Sequence, residues 1–419
     1  MEHQSPRLAF FYRVPSSRRS THGLSRTVLE GFPPTMRIIC TGKIANTTVG
    51  HIDHIMAYAV GFQKLGHEVY VMESIGSNRC MDADHHHVPF EHWEGRVHFE
   101  NVMKSYGLWP RCCLIYKQGE ATHGMPFAEG VKVAQDCDLL ITRSGQIHKV
   151  PDIFEPPRLR AYFDGNPGHT QLMFHQQGAD FEPLDRYEYL FTLGCNIGRS
   201  SCSIPTNGHH WFPMPRPVFL PMWPTQQASH NRLTTISNWK GRSTFQWDGK
   251  DSGEKSDNWL QFLDLPHLTG QSFEIALKME DVRHAEDRSM FQEKGWFLTD
   301  PTVLCNLQDY QTYIGQSRGE FSVAHNRYVE FSTGWFSDRS ALYLASGKPV
   351  LVQSTGIEEY FPTGTGLLTF TNKEEATAGI ETIRHDYADH CRAARDIAEE
   401  YFDSDRVLTH ILQTIDCLS

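Results

Sequence analysis

Residues 332–356 read STGWFSDRSALYLASGKPVLVQSTG, and the order of elements in that stretch decides the fold. Gly334 marks a loop, Ser337 stands where a helix N-cap belongs, and 338–346 has helical composition and spacing. Gly347 is placed to end that helix, Pro349–Val350 opens a strand, and Thr355–Gly356 leaves it. Loop, helix, turn and strand in that order are half of a parallel α/β unit. The first amides of such a helix hold phosphate oxygens well, because they lack intrahelical partners and sit at the positive end of the helix dipole. Gly334, Trp335, Phe336, Ser337, Arg339 and Ser340, with Thr355 and Gly356 at the strand exit, are therefore the candidate anion site.

Outward from this stretch the same alternation continues. Short apolar runs at 233–237, 273–277, 296–299, 320–324, 349–354 and 366–370 read as strands, with helical patterns at 309–317, 338–346 and 373–388. A last helix is expected over about 390–413, with Ala393, Ala394, Ile397, Ala398 and Tyr401 on one face. Upstream, 37–41 is a buried strand, and Ile52, Ile55, Met56, Ala59, Phe62 and Leu65 recur at helical spacing. Gly66 caps that helix and 68–72 forms the next strand, a βαβ unit that implies a parallel sheet. Strands at 138–142, 160–164 and 189–192 extend the sheet, so the loops 42–51, 143–149 and 164–171 share one crevice.

The 419 residues are too many for one core and fit two domains of roughly 150–200 residues. Prolines at 205, 213, 215, 217, 221 and 224 mark the linker. The expected organisation is a leader over 1–35, a first Rossmann-like domain over 36–215, a second over 216–389 and a C-terminal helix over 390–419. The leader holds five arginines, many serines and Pro33–Pro34. Either an organelle transit peptide or a stretch preceding a true start at Met36 accounts for it. A net charge of −11 argues against binding nucleic acid by phosphate neutralisation. No run approaches the 18 or so apolar residues of a membrane span. Ten cysteines without a zinc-type spacing, and no secretory signal, suggest reduced thiols in the cytoplasm.

The 332–356 stretch resembles the donor-binding signature of GT-B glycosyltransferases, in which Gly-Trp-x-Ser precedes a helix, then Ala-x-Gly-x-Pro-Val and a strand. Over about 36–372 the chain is similar to a little-characterised group of bacterial GT-B-like proteins. The shared pieces are KLGHEVY (64–70), DGNPGHTQ (164–171), NWK (238–240) and SRGEFSV (317–323). The resemblance implies an α/β, GT-B fold, two Rossmann-like domains facing across a cleft, and transfer of a sugar from a nucleotide-sugar donor to a small-molecule or glycan acceptor. The donor would be a co-substrate, UDP-, dTDP- or GDP-linked. No cofactor and no metal is expected, since a helix dipole and cations can neutralise a leaving diphosphate. The sequence departs from the pattern at Leu342, where related enzymes carry a ribose-gripping glutamate, and at Gly334, where the retaining-type pair has its other glutamate.

Lys240 would assist the diphosphate, or stand as a surface lysine. His51, in a Gly-His resembling that of inverting GT-B enzymes, would take the acceptor's proton, as an imidazole of pKa about 6.5 is suited to do; a helix-capping or sugar-contacting role is the alternative. Asp53 or Asp164 would orient it. Asp164, His169 and Gln171 line the expected acceptor pocket. His85–His87 with Asp82 and Asp84 reads as a solvated loop, and Trp211 and Trp223 as packing residues. Two other functions fit the letters: a sugar-nucleotide 2-epimerase of the same fold, or a non-catalytic GT-B-like scaffold, which the Leu342 departure favours.

Overall fold

The computed structural model describes residues 35–45, 48–82, 84–143, 145, 147–239, 244–279 and 284–416. The leader before Thr35, Lys240 and Cys417 lie outside the described residues.

The first sheet contains β1 (Arg37–Thr41), β2 (Glu68–Ile75), β3 (Cys112–Tyr116), β4 (Ala121–Gly124), β5 (Leu139–Arg143), β6 (Leu159–Asp164), β7 (Tyr189–Thr192) and β8 (Trp211–Pro213). Their order is β4-β3-β2-β1-β5-β6-β7-β8, and every pair is parallel except β3 with β4. Its helices are α1 (Val49–Lys64), α2 (Glu94–Ser105), α3 (Phe127–Gln135), α4 (Pro151–Phe154) and α5 (His169–Gln177). The central strands β1 and β5 carry unbroken apolar runs, 38–40 and 139–141, because helices cover both faces.

The second sheet is built from β9 (Arg232–Asn238), β12 (Ser272–Lys278), β13 (Trp296–Thr299), β14 (Gly319–Ser322), β15 (Val350–Gln353) and β16 (Leu367–Phe370). A small hairpin, β10 (Gln246–Trp247) and β11 (Lys250–Asp251), stands outside it. The order β13-β12-β9-β14-β15-β16 is fully parallel, the Rossmann sequence 3-2-1-4-5-6. Its helices are α6 (Lys255–Leu260), α7 (Leu265–Thr269), α8 (Ala285–Glu293), α9 (Leu307–Gln316), α10 (Asn326–Glu330), α11 (Asp338–Ala345), α12 (Lys373–His385) and α13 (Tyr387–Ile397). In each sheet the strand order reverses beside the first strand, and the crevice at that switch point carries a helix N-terminus: α1 in one domain, α11 in the other.

The expected strands at 37–41, 189–192 and 296–299 are present with those bounds. Five strands escaped the letters: β3, the short edge strands β4 and β8, and the two-residue strands β10 and β11. The single helix expected over about 390–413 is two. A π-turn at Ala398–Phe402 separates α13 from α14 (Ser404–Asp416). The break has a cause: Val218 donates its amide to Phe402 O at 2.7 Å, and Ser404 donates to Val218 O at 2.9 Å. The backbone thus leaves the helix to pair with the linker strand. Beyond the break, Leu408, Ile411 and Leu412 enter the core of the first domain beside Tyr58 and Phe62 of α1. A Cβ on Gly61 would lie 2.4 Å from Leu408 Cδ1, so a larger residue there would push the Leu408 side chain aside. Trp211 and Trp223 are both buried, as the packing reading expected.

Candidate active-site cleft

The N-termini of α1 and α11 face each other, joined through the first residue of α11. Asp338 Oδ2 accepts from His54 Nδ1 and from Arg143 Nη2, both at 3.0 Å. Arg216 donates Nη1 to the Asp338 carbonyl at 2.7 Å and pairs through Nη2 with Asp53, whose other oxygen accepts from Trp223 Nε1 at 3.2 Å. Burial by itself opposes an ionised Asp338, yet His54, Arg143 and Arg216 outweigh it and hold the carboxyl well below its usual range. His54 is the neutral partner, because burial and the nearby Arg143 guanidinium lower it to about 3. Around this latch several buried polar atoms have no protein partner, among them His54 Nε2, Tyr58 Oη, Thr41 Oγ1, Thr142 Oγ1, Asp338 Oδ1 and Ser340 Oγ. Such a concentration of unsatisfied groups is unusual in a core and common where a ligand enters.

His51 lies one turn before His54, exposed to the crevice, with Nδ1 held by Thr48 Oγ1 at 3.0 Å. Thr48, not Asp53 or Asp164, orients this ring, since both acids are engaged elsewhere. Its surroundings, then the Arg143 charge, lower its pKa to about 4. Asp164 accepts from the Asn166 amide (2.9 Å), Thr170 Oγ1 (2.7 Å), Gln171 Nε2 (2.9 Å) and Thr192 Oγ1 (2.9 Å). Gln171 is fully buried and its Oε1 takes the Gly168 amide at 2.7 Å. Contrary to the expected acceptor contacts, these two side chains are engaged inside the fold, where they shape the loop that carries His169. His169 is half-buried, edge-on to Phe181, and burial and then Arg327 lower its pKa.

On the opposite wall, the expected donor residues divide into two groups. Ser337 caps α11 in the β region without a side-chain bond, leaving the first-turn amides at the cleft. Gly334 (φ 70°) instead closes the interdomain seam. Its amide goes to Thr355 O at 2.7 Å and its carbonyl accepts from the Cys195 amide at 3.3 Å. Thr355 Oγ1 donates to Trp335 O at 2.6 Å, and Gly356 O accepts from Asn196 Nδ2 at 3.1 Å. Trp335 stacks on Tyr328 with ring centres 4.2 Å apart, while Phe336 is buried against Phe361 and Phe402. Arg339 does not present its guanidinium to the crevice as expected. Nε meets Glu320 at 2.5 Å, Nη2 meets Ser322 Oγ at 2.6 Å and Nη1 meets the Ile236 carbonyl. Leu342 is wholly buried in the core, so the position of the missing glutamate faces away from any ligand.

Lys255 stands where the letters suggested no donor contact. It opens α6, half-buried beside Arg339 and Glu320; burial and then Arg339 lower its pKa to about 7. A lysine in the first turn of a helix opposes the dipole, and that placement was the available signal. Arg143, at the end of β5, was missed for want of any motif. The Asp82, Asp84 and His86 group is exposed, as a solvated loop would be, and is the one three-ligand cluster among the described residues. No helix among the described residues is long and apolar enough to cross a membrane, and the nine described cysteines are free thiols.

No family model matches the chain, and no curated protein sequence matches it. Solved structures do. An alpha-glucosyltransferase in complex with UDP-glucose and DNA containing an abasic site aligns over 91% of this chain and 99% of its own, with a TM-score of 0.58 at 13% identity. Anabaena Alr3699/HepE in complex with UDP-glucose aligns over 91% and 100%, with a TM-score of 0.57 at 13% identity. With two Rossmann-type sheets, a shared cleft and these likenesses over nearly its whole length, the chain has the GT-B fold.

Proposed function

We propose that this chain is a glycosyltransferase, moving a sugar from a nucleotide-sugar donor to the hydroxyl of a small-molecule or glycan acceptor. The observation that carries the reading is the meeting of the α1 and α11 N-termini, with Lys255 and Arg143 close by, in the crevice of a GT-B fold. The UDP-glucose complexes of the structural neighbours support it. The donor diphosphate rests on the first amides of α11, with Lys255 as its cation; Lys240 follows β9 and is a second candidate. His51 Nε2 takes the acceptor proton as the acceptor oxygen attacks the anomeric carbon, and the bond to the diphosphate breaks toward the α11 dipole. Inversion follows from such a single displacement. Cations and amides supply the charge, so transfer proceeds without a divalent metal and survives chelation.

A thermal-shift screen of the full chain against UDP-, GDP-, dTDP- and ADP-sugars tests this. A rise of several degrees with one nucleotide family, lost in Lys255→Met, supports the donor site. No shift with any nucleotide at millimolar concentration sinks it and favours the scaffold reading.

A further inference from the structure

The segment after β14, where His325 caps α10, carries a buried cation, Arg327, that the transfer reading leaves unused. Arg327 is only 6% exposed, yet no carboxylate among the described residues hydrogen-bonds to it. Its Nη2 faces His325 Nε2 at 2.9 Å, its amide faces His325 Nδ1 at 3.3 Å, and its Nε is buried without a partner. A neutral imidazole has one lone pair, so one of the two contacts sets donor against donor. His325 is neutral indeed: burial, then Arg327, Lys255 and His169, lower it to about 3. His169 reaches the same neighbourhood from the other domain, and Tyr328 Oη ties the loop to Asn166 there at 2.8 Å.

Three other arginines at the domain junction solve the same problem with an internal acid. Arg143 pairs with Asp338, Arg216 with Asp53, and the half-buried Arg339 with Glu320. Arg327 has the ring faces of Phe245 and Tyr328, 5.8 and 5.9 Å from its guanidinium carbon, and Glu254 acts on it only through space. A desolvated guanidinium with surplus donors around it lacks a hydrogen-bonded anion, and its planar fork matches a carboxylate. The cluster sits next to Lys255 but on the side toward the first domain. On the nucleotide-sugar reading, the transferred sugar lies on that side, between diphosphate and acceptor.

We propose that Arg327, with His325 and His169, binds a carboxylate carried on the donor sugar, so that the chain selects a nucleotide-linked uronic acid over the neutral hexose. The inference rests on the nucleotide-sugar reading above. Titration calorimetry of the full chain with UDP, UDP-glucose, UDP-glucuronate, and GDP-mannose with its uronate separates the two. The expected result is uronate binding tighter than the neutral sugar by about tenfold or more, the size of one charge-assisted contact. Arg327→Gln removes that preference and leaves the affinity for the bare nucleotide within about threefold. His169→Gln, outside the cores, narrows the preference and guards against a folding defect in the first variant. Equal affinity for neutral and acidic sugars overturns the proposal. So does an Arg327→Gln variant that weakens nucleotide and both sugars alike, since Arg327 would then serve the diphosphate. If no nucleotide or nucleotide sugar binds at all, the transferase reading falls and takes this one with it.

Discussion

His51 and Arg339 show how differently two residues of one motif-based expectation behave once side chains are placed. His51 remains available to a ligand. Because its surroundings and Arg143 hold it near pH 4, it is an unprotonated base across the neutral range. The acid limb of kcat/KM is therefore expected below about pH 5, and His51→Ala is expected to lower kcat by about 100-fold or more with donor affinity unchanged. A limb near 6.5 would show an imidazole without these neighbours. Lys255 is needed in the opposite, protonated form. With a pKa near 7 it is charged below that pH and neutral above, so nucleotide affinity is expected to decline as pH rises past 7. A Lys255→Met variant should bind weakly and with a flat profile, measured by calorimetry across pH 6–9. Arg339 is structural. Arg339→Met leaves Glu320 buried and unpaired, and is expected to cost about 3–5 kcal/mol of stability in urea unfolding. The double variant with Glu320→Leu should recover most of it, which a purely ligand-binding arginine would not predict.

At the scale of elements, the seam between the loops 194–196 and 332–335 governs the cleft. Gly194 pairs with Trp335 as an isolated bridge, and Asn196 spans from its amide to Thr333 O and from its side chain to Ser332 O and Gly356 O. Gly334 belongs to this seam by conformation as well as contact: at φ 70° its Cβ would stand 2.8 Å from the Asn196 amide nitrogen. Gly334→Ala is thus expected to destabilise the chain by about 1–3 kcal/mol. It should also weaken nucleotide binding, because the cap of α11 follows three residues on. Full retention of both in unfolding and binding assays would show the seam to be slack. The helices on either side of the cleft are held by the same logic, one carboxylate on α11 answering a histidine of α1 and an arginine of β5.

For the whole molecule, the chain crosses between domains twice, and the second crossing returns α14 to the first core. Leu408→Ala is expected to cost about 2–5 kcal/mol. Hydrogen exchange should show the loss in α1 and β1–β2, although residue 408 follows the second domain in sequence. Protection lost first in β14–β16 would contradict this packing. An apolar hollow at the domain junction is lined by Met214, Tyr360, Phe361 and Tyr401.

Periodicity and punctuation by themselves determined most of the elements, because apolar runs of five and Gly-Pro turns report local geometry directly. They located most strands of both sheets and the α11 cap. The GT-B signature in 332–356 pointed to a fold that the structure bears out. Which polar side chain meets which partner was decided only by tertiary structure. Asp164 and Gln171 look like ligand contacts in the letters and are engaged by neighbours brought in from β7 and the α5 turn. Asp338 and Arg143, 195 residues apart, meet because two parallel sheets point their strand ends at one crevice. The break before α14 was equally invisible, since helix propensity runs through it and the competing hydrogen bonds come from Val218, 184 residues earlier in the chain than Phe402.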